Sequence, residues 1–171
     1  MKALGLPATE NVFVSLIICQ GKAGKLDNIQ EILTMMKSLQ VKPSVNTYTA
    51  TARAFAWNKK NNLFLEELEK AEKNGIMFGE VHIMEIIKTL AAVGEYGPVP
   101  KVLKYLPEEI LTKPDITPYM QSVATLLVFQ NHPMVALEIY KCLPLPSFGP
   151  KDDTGLHGRS LVRDCVKASM V

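Results

Sequence analysis

Residues 36–43 read MKSLQVKP, and residues 1–7 read MKALGLP, a near copy 35 positions earlier. A segment met at a chain's start and again in its middle marks a repeat, and a repeat decides architecture before any single element is read. Shifted on itself by 35, the sequence keeps residue character in register through three units. Phe13, Tyr48 and Ile83 share one column and Ile29, Phe64 and Val99 a second; Leu33, Leu68 and Leu103 form a third, and Met36, Ala71 and Leu106 a fourth. A further unit follows after one inserted residue, with PDITPY at 114–119 over PSVNTY at 43–48.

Five heptads also make 35, so a coiled coil would give the same autocorrelation. Proline excludes it. Pro7, Pro43 and Pro114 recur just ahead of the apolar stretches, where each would cost a continuous helix about 3 kcal/mol or more. Each unit therefore starts and stops its own helices. In the first, helix A is expected from about Asn11 to Gly21 and helix B from Asp27 to Leu39, with Gly24 as the left-handed residue between them. Asp27 and Gln30 have the form of a capping box, and Pro98 and Pro133 stand where a first helical residue tolerates proline. Leu26, Ile29, Ile32, Leu33 and Met36 make an apolar stripe that a lone hairpin leaves uncovered and a stacked neighbour buries.

The fold class predicted is all-α, an α-solenoid of about four stacked 35-residue hairpins plus partial ends. Residues 1–9 read as the tail of a preceding repeat, 10–44, 45–79, 80–115 and 116–146 as repeats one to four, and 147–171 as a loop and a partial further helix within LHGRSLVRDCVKASM. On this reading the sequence begins and ends inside a larger array.

Composition bounds the function. Of 171 residues 47% are hydrophobic and 21% charged, which is globular rather than disordered. A net charge of +2 does not by itself imply a polyanion partner. Three widely spaced cysteines, Cys19, Cys142 and Cys165, form neither a zinc motif nor a disulfide framework. The longest apolar stretch, VFVSLIIC at 12–19, is far short of the ~20 residues that span a bilayer. No signal or transit pattern is present, so the sequence itself carries no address. His82, His132 and His157 have no ligand partner at helical spacing, and Glu108 and Glu109 resemble no acid/base pair. With no nucleophile elbow, P-loop or dinucleotide fingerprint, no catalytic residue, metal, cofactor or small-molecule substrate is expected.

The turn KAGKL at 22–26, the Thr47-Tyr48 pair at a helix A start and the exit MKSLQVKP together resemble the pentatricopeptide repeat. That resemblance implies single-stranded RNA binding, with one base per repeat addressed by two or three side chains. Carried over residue by residue, the first reading position falls on Val14, Thr49, Met84 and Met120, expected to project from helix A onto a concave face. The second falls on Ser44, Gly79 and Asp115, and the positions flanking a base on Asn11, Asn46, Val81 and Thr117. No repeat has both readers polar: Val14 pairs with Ser44, Thr49 with Gly79 and Met84 with Asp115. Base discrimination is therefore expected to be poor, with stacking and backbone contacts supplying affinity. Lys22, Lys25, Lys59 and Lys60 at the turns, with Arg53 and Lys88 inside helices A, are candidate phosphate contacts; the plainer reading is solvated turns offset by Glu66, Glu67, Glu69 and Glu72.

The resemblance further implies a mitochondrial, and also nuclear, regulator that coats messenger RNA and supports its stability, polyadenylation and translation. The partners implied are mitochondrial messenger RNA and a small RNA-recognition-motif protein, with no membrane. The competing reading is a solenoid that holds a partner polypeptide without reading bases. A positive helix A face would favour RNA, and a neutral apolar one a peptide.

Overall fold

The computed structural model describes residues 9–107 and 116–142, with only the backbone of 116–119 and 142. The tail before residue 9, the Glu108–Glu109 pair, Asp115 and the segment 143–171 lie outside the described residues, as does the side chain of Thr117. Among the described residues the fold is all-α: α1 (Glu10–Lys22), α2 (Asp27–Ser38), α3 (Val45–Trp57), α4 (Asn61–Lys73), α5 (Glu80–Ala92), α6 (Val99–Leu103), α7 (Ile116–Phe129) and α8 (Pro133–Cys142). These fall into two compact units, Met1–Glu95 and Tyr96–Val171.

In the first unit the expected hairpins form, and each turns through one backbone device. Gly24 takes φ +73°; its amide donates to the Gly21 carbonyl and that of Lys25 to the Gln20 carbonyl, the two bonds that satisfy a helix's last carbonyls. Lys59 (φ 56°) repeats this at the turn between α3 and α4, and Gly94 (φ 75°) takes the same conformation at the end of α5. Gln40 (φ 58°) and Gly75 (φ 71°) do the same at the exits of α2 and α4. Lys59 and Gln40 hold the left-handed conformation despite a Cβ, at about 1–2 kcal/mol each.

The expected capping box does not form. Leu26 is already helical (φ −66°, ψ −30°), and Asp27 is the first residue of α2 with no capping bond from the residue before it. Leu26 packs against the cluster of Ile17, Ile29, Ala50 and Ala54, and the N-cap position falls on it rather than on Asp27. Asp27 then serves α2 through its charge alone. At α3 a true cap forms: the Ser44 hydroxyl oxygen accepts from the Asn46 amide at 3.2 Å.

Helix α1 packs on α3 and α3 on α5, while α2 packs on α1 and α4 on α3; α2 and α4 do not pack closely on each other. A continuous layer of A helices with spaced B helices behind it is the solenoid arrangement. The middle helix α3, VNTYTATARAFAW, is buried at nine of its 13 residues, and its small Ala and Thr side chains admit neighbours on both flanks. The repeat columns are core: Phe13, Ile29, Phe64, Met36, Leu68 and Ala71 are fully buried. Leu33 departs from its column, being half-buried where α2 and α4 separate.

In the second unit helix B of the third repeat is only Val99–Leu103. Pro98 precedes it and Pro107 follows the turn, and the Tyr105 and Leu106 amides bond three residues back, to Val102 and Leu103. Pro133 opens α8, as expected, after Asn131 at φ 65°. The His132 Nδ1 and the Tyr96 hydroxyl lie 2.9 Å apart.

Candidate nucleic-acid interface

Three successive A helices share one groove. Asn11 and Val14 from α1, Asn46 and Thr49 from α3 and Val81 from α5 line a space of about 330 Å³, together with Ile18, Ala50, Arg53, His82 and Glu85. Five of the residues carried over from the repeat pattern thus converge, at one-repeat intervals. The cause is periodicity: a position fixed relative to the buried Phe13, Tyr48 and Ile83 lies at one angle on every A helix, and stacking aligns those angles. Asn11 and Val81 are exposed, Val14 is half-buried, and Thr49 is 5% exposed. The Thr49 hydroxyl donates to the Val45 carbonyl at 2.7 Å, so only acceptor capacity remains on its oxygen.

The other two first-position readers do not project. Met84 and Met120 are fully buried. In α5 the apolar arc is wide, taking in Ile83, Met84, Ile86, Ile87 and Leu90, so a long flexible side chain beside the column folds inward with it. Ser44 and Gly79 stand at the N-caps of α3 and α5. The Ser44 hydroxyl is partly used by its cap. Gly79 has ordinary backbone angles (φ −82°, ψ 168°), and a Cβ there would meet His82 Nδ1 at a relaxed 3.5 Å.

Polar contacts stitch the repeats at near-repeat separations. Glu10 Oε1 accepts from the Ser44 amide at 2.8 Å and the Thr47 hydroxyl at 2.7 Å. Burial pushes the Glu10 carboxyl up, but the hydrogen bonds from Ser44 and Thr47 together prevail and hold it below its ordinary value. His82 Nε2 lies 3.3 Å from Asn46 Oδ1, while His82 Nδ1 is enclosed with no hydrogen-bond partner among the described residues.

Arg53 is not the free phosphate contact expected. Its Nε donates to Thr89 Oγ1 at 3.0 Å, its Nη1 to the Glu85 carboxylate, and its guanidinium lies 5.1 Å from the Trp57 ring centre. The groove's one guanidinium is matched by the groove's one carboxylate, so its lining carries no net charge. All four turn lysines, Lys22, Lys25, Lys59 and Lys60, are exposed; Lys22 reaches to 5.5 Å from the Trp57 ring centre, and Lys59 lies 3.9 Å from Glu95. Lys88 is half-buried on α5.

Sequence reading did not anticipate Ile18, Ala50, His82 and Glu85 in the groove. The signal was present: Ile18 follows Val14 by four, Ala50 follows Asn46 by four and Glu85 follows Val81 by four, one helical turn on the same face. Among the described residues no three His, Cys, Asp or Glu side chains cluster as metal ligands.

The model of the pentatricopeptide repeat domain matches residues 1–50 and again 31–77. The match supports the pentatricopeptide-repeat family for the first two repeats, where the turn and exit signatures are also most complete. No curated protein matches the chain.

Proposed function

We propose that the chain is a single-stranded RNA-binding segment of a mitochondrial post-transcriptional regulator, one that coats messenger RNA and supports its stability, polyadenylation and translation. Within the pentatricopeptide-repeat family the reading is narrower. GLPATENVFVSLI at 5–17 and LTMMKSLQVKP at 33–43 are similar to the leucine-rich pentatricopeptide-repeat protein of animal mitochondria. On that reading the chain acts in mitochondria, with the nucleus as a second site, beside a small RNA-recognition-motif protein as partner. The observation that carries RNA binding is the convergence of Asn11, Val14, Asn46, Thr49 and Val81 in one groove across three repeats, the spacing at which such repeats address successive bases.

In this reading amides and hydroxyls meet base edges, Val14 and Val81 flank the bases, and the exposed Lys22, Lys25 and Lys60 at the hairpin turns meet phosphates. With Met84 and Met120 enclosed, base reading is confined to the first two repeats and is weak. Fluorescence anisotropy with homopolymer RNA at two salt concentrations tests it. Affinity should differ little among homopolymers, and its salt slope should be about −0.7 per phosphate neutralised. Absence of binding by the intact chain would overturn the reading.

One observation favours the second reading, a solenoid that holds a partner polypeptide. The groove lining is neutral and partly apolar, with Val14, Ile18, Ala50 and Val81 beside the Arg53–Glu85 pair. Salt-independent binding of a polypeptide in the groove, with no RNA binding, would establish it.

A further inference from the structure

Behind the A-helix layer, the separation of α2 and α4 leaves a cleft of about 920 Å³, within the range of ligand sites. Its apolar lining comes from Leu33 of α2, Val41 and Pro43 of the connection into α3, and Tyr48 at the floor, set among the polar Gln30, Thr34, Gln40 and Thr47. At the floor Tyr48 and Asn74 engage one another. Asn74 Nδ2 donates to the Tyr48 hydroxyl at 2.8 Å and to the Lys70 carbonyl at 2.8 Å. Three ammonium groups, Lys37, Lys42 and Lys70, stand around this surface against one carboxylate, Glu67. Glu67 is 7% exposed and lies 3.5 Å from Lys70. Among the described residues, Lys37 and Lys42 are exposed with no carboxylate within ion-pair distance.

We infer that this cleft between α2 and α4 docks an acidic peptide segment of a partner protein, with aliphatic side chains seated on Leu33, Val41 and Tyr48 and carboxylates against Lys37 and Lys42. The uncompensated positive rim selects an anionic occupant. The floor selects a peptide over a nucleic acid. Bases bind single-strand sites by stacking on open aromatic faces, and Tyr48, the cleft's one aromatic residue, is 8% exposed with its hydroxyl engaged. An aliphatic slot flanked by unpaired ammonium groups matches a leucine between glutamates or aspartates. The inference goes beyond the RNA reading and uses the opposite side of α3, so each can fail without the other.

The test is anisotropy of a short fluorescein-labelled peptide of alternating leucine and glutamate pairs, with a leucine–lysine peptide and a single-stranded oligonucleotide in parallel. The intact chain should bind the acidic peptide and not the basic one. Lys37→Glu with Lys42→Glu should weaken the acidic peptide roughly tenfold or more, a change of about 1.4 kcal/mol, while circular dichroism and oligonucleotide affinity stay unchanged. Lys37→Gln with Lys42→Gln, which removes charge without reversing it, should give a smaller loss in the same direction. The proposal is overturned if the intact chain does not bind the acidic peptide, if it binds both peptides alike, or if the lysine variants leave the acidic peptide unaffected. A loss confined to the oligonucleotide would assign the rim to RNA and overturn it equally.

Discussion

The Asn58 side-chain amide donates to the Gly21 carbonyl at 2.8 Å across 37 residues of sequence, and to the Ala54 carbonyl at the same distance. One side chain thereby closes the end of α3 and fastens α1 to it. Asn58→Ala removes both bonds, leaving the Gly21 carbonyl with its bond from the Gly24 amide alone, and should lower stability by about 1–2 kcal/mol. Asn58→Asp, which sets a carboxylate against those carbonyls, should be worse than alanine. Thermal melting of the two variants measures this, and equal stability of wild type and Asp variant would contradict the role.

Gly21 itself sets how closely α1 and α3 approach. A Cβ there would stand 2.8 Å from Ala54 Cα and closer still to Ala54 Cβ. Alanine in a helix ordinarily gains about 1 kcal/mol over glycine, but here the clash is with backbone, and Gly21→Ala should cost about 1–3 kcal/mol net. Adding Ala54→Gly should recover part of the loss. A stabilised single variant in chemical denaturation would contradict the packing.

The Glu10 carboxylate makes stability pH-dependent with a definite sign. Its value in the fold is lowered from an ordinary 4.5, so its contribution is present above that ordinary value and lost as pH falls through the lowered one. Glu10→Gln should therefore reduce stability at neutral pH and flatten the decline on acidification. Melting temperatures from pH 7 to pH 3 check it; parallel curves for the two proteins would remove Glu10 from the inter-repeat contact.

The hairpins, their period and their core columns were legible in the sequence because burial repeats at fixed angle and spacing. Phe13, Ile29, Phe64 and Leu68 are enclosed for that reason. What was not legible depends on contacts between repeats or on backbone geometry. Arg53 could be read as free only until α5 brought Glu85 and Thr89 to it. Met84 shares its helical offset with Thr49 but belongs to a helix whose apolar arc is wider. Gly24 announced a left-handed turn, whereas Lys59 and Gln40 adopt the same conformation without the residue that signals it.

That hidden strain is correctable. Gln40 at φ 58° stands one repeat before Gly75 at φ 71°. Gln40→Gly should gain about 1 kcal/mol by relieving the Cβ, less a few tenths for the more flexible unfolded chain. Chemical denaturation should move to higher denaturant, and a loss of stability would mean the glutamine side chain contributes more than its backbone costs.

A single polar pair tests whether the groove can read a base. Gly79 accepts a Cβ without a clash, so Gly79→Asp combined with Thr49→Asn should complete one reading pair and give a homopolymer preference of roughly tenfold, worth about 1–3 kcal/mol of discrimination at most. Asp at position 79 should also cap α5 and raise thermal stability slightly. Equal affinities of the double variant for all homopolymers would show that these two positions do not face one base.

The most direct test of the central claim is the affinity of single-stranded RNA for the intact chain and for Val81→Glu, measured by anisotropy at one fixed salt concentration. Val81 is half-exposed on the groove wall, so a carboxylate there leaves the core untouched and places negative charge where the strand would run. Binding by the wild type and a loss of roughly tenfold or more in the variant, with unchanged circular dichroism, is the expected result. Unchanged affinity in the variant would contradict the placement of RNA in the helix A groove, and absence of binding by the wild type would contradict RNA binding itself.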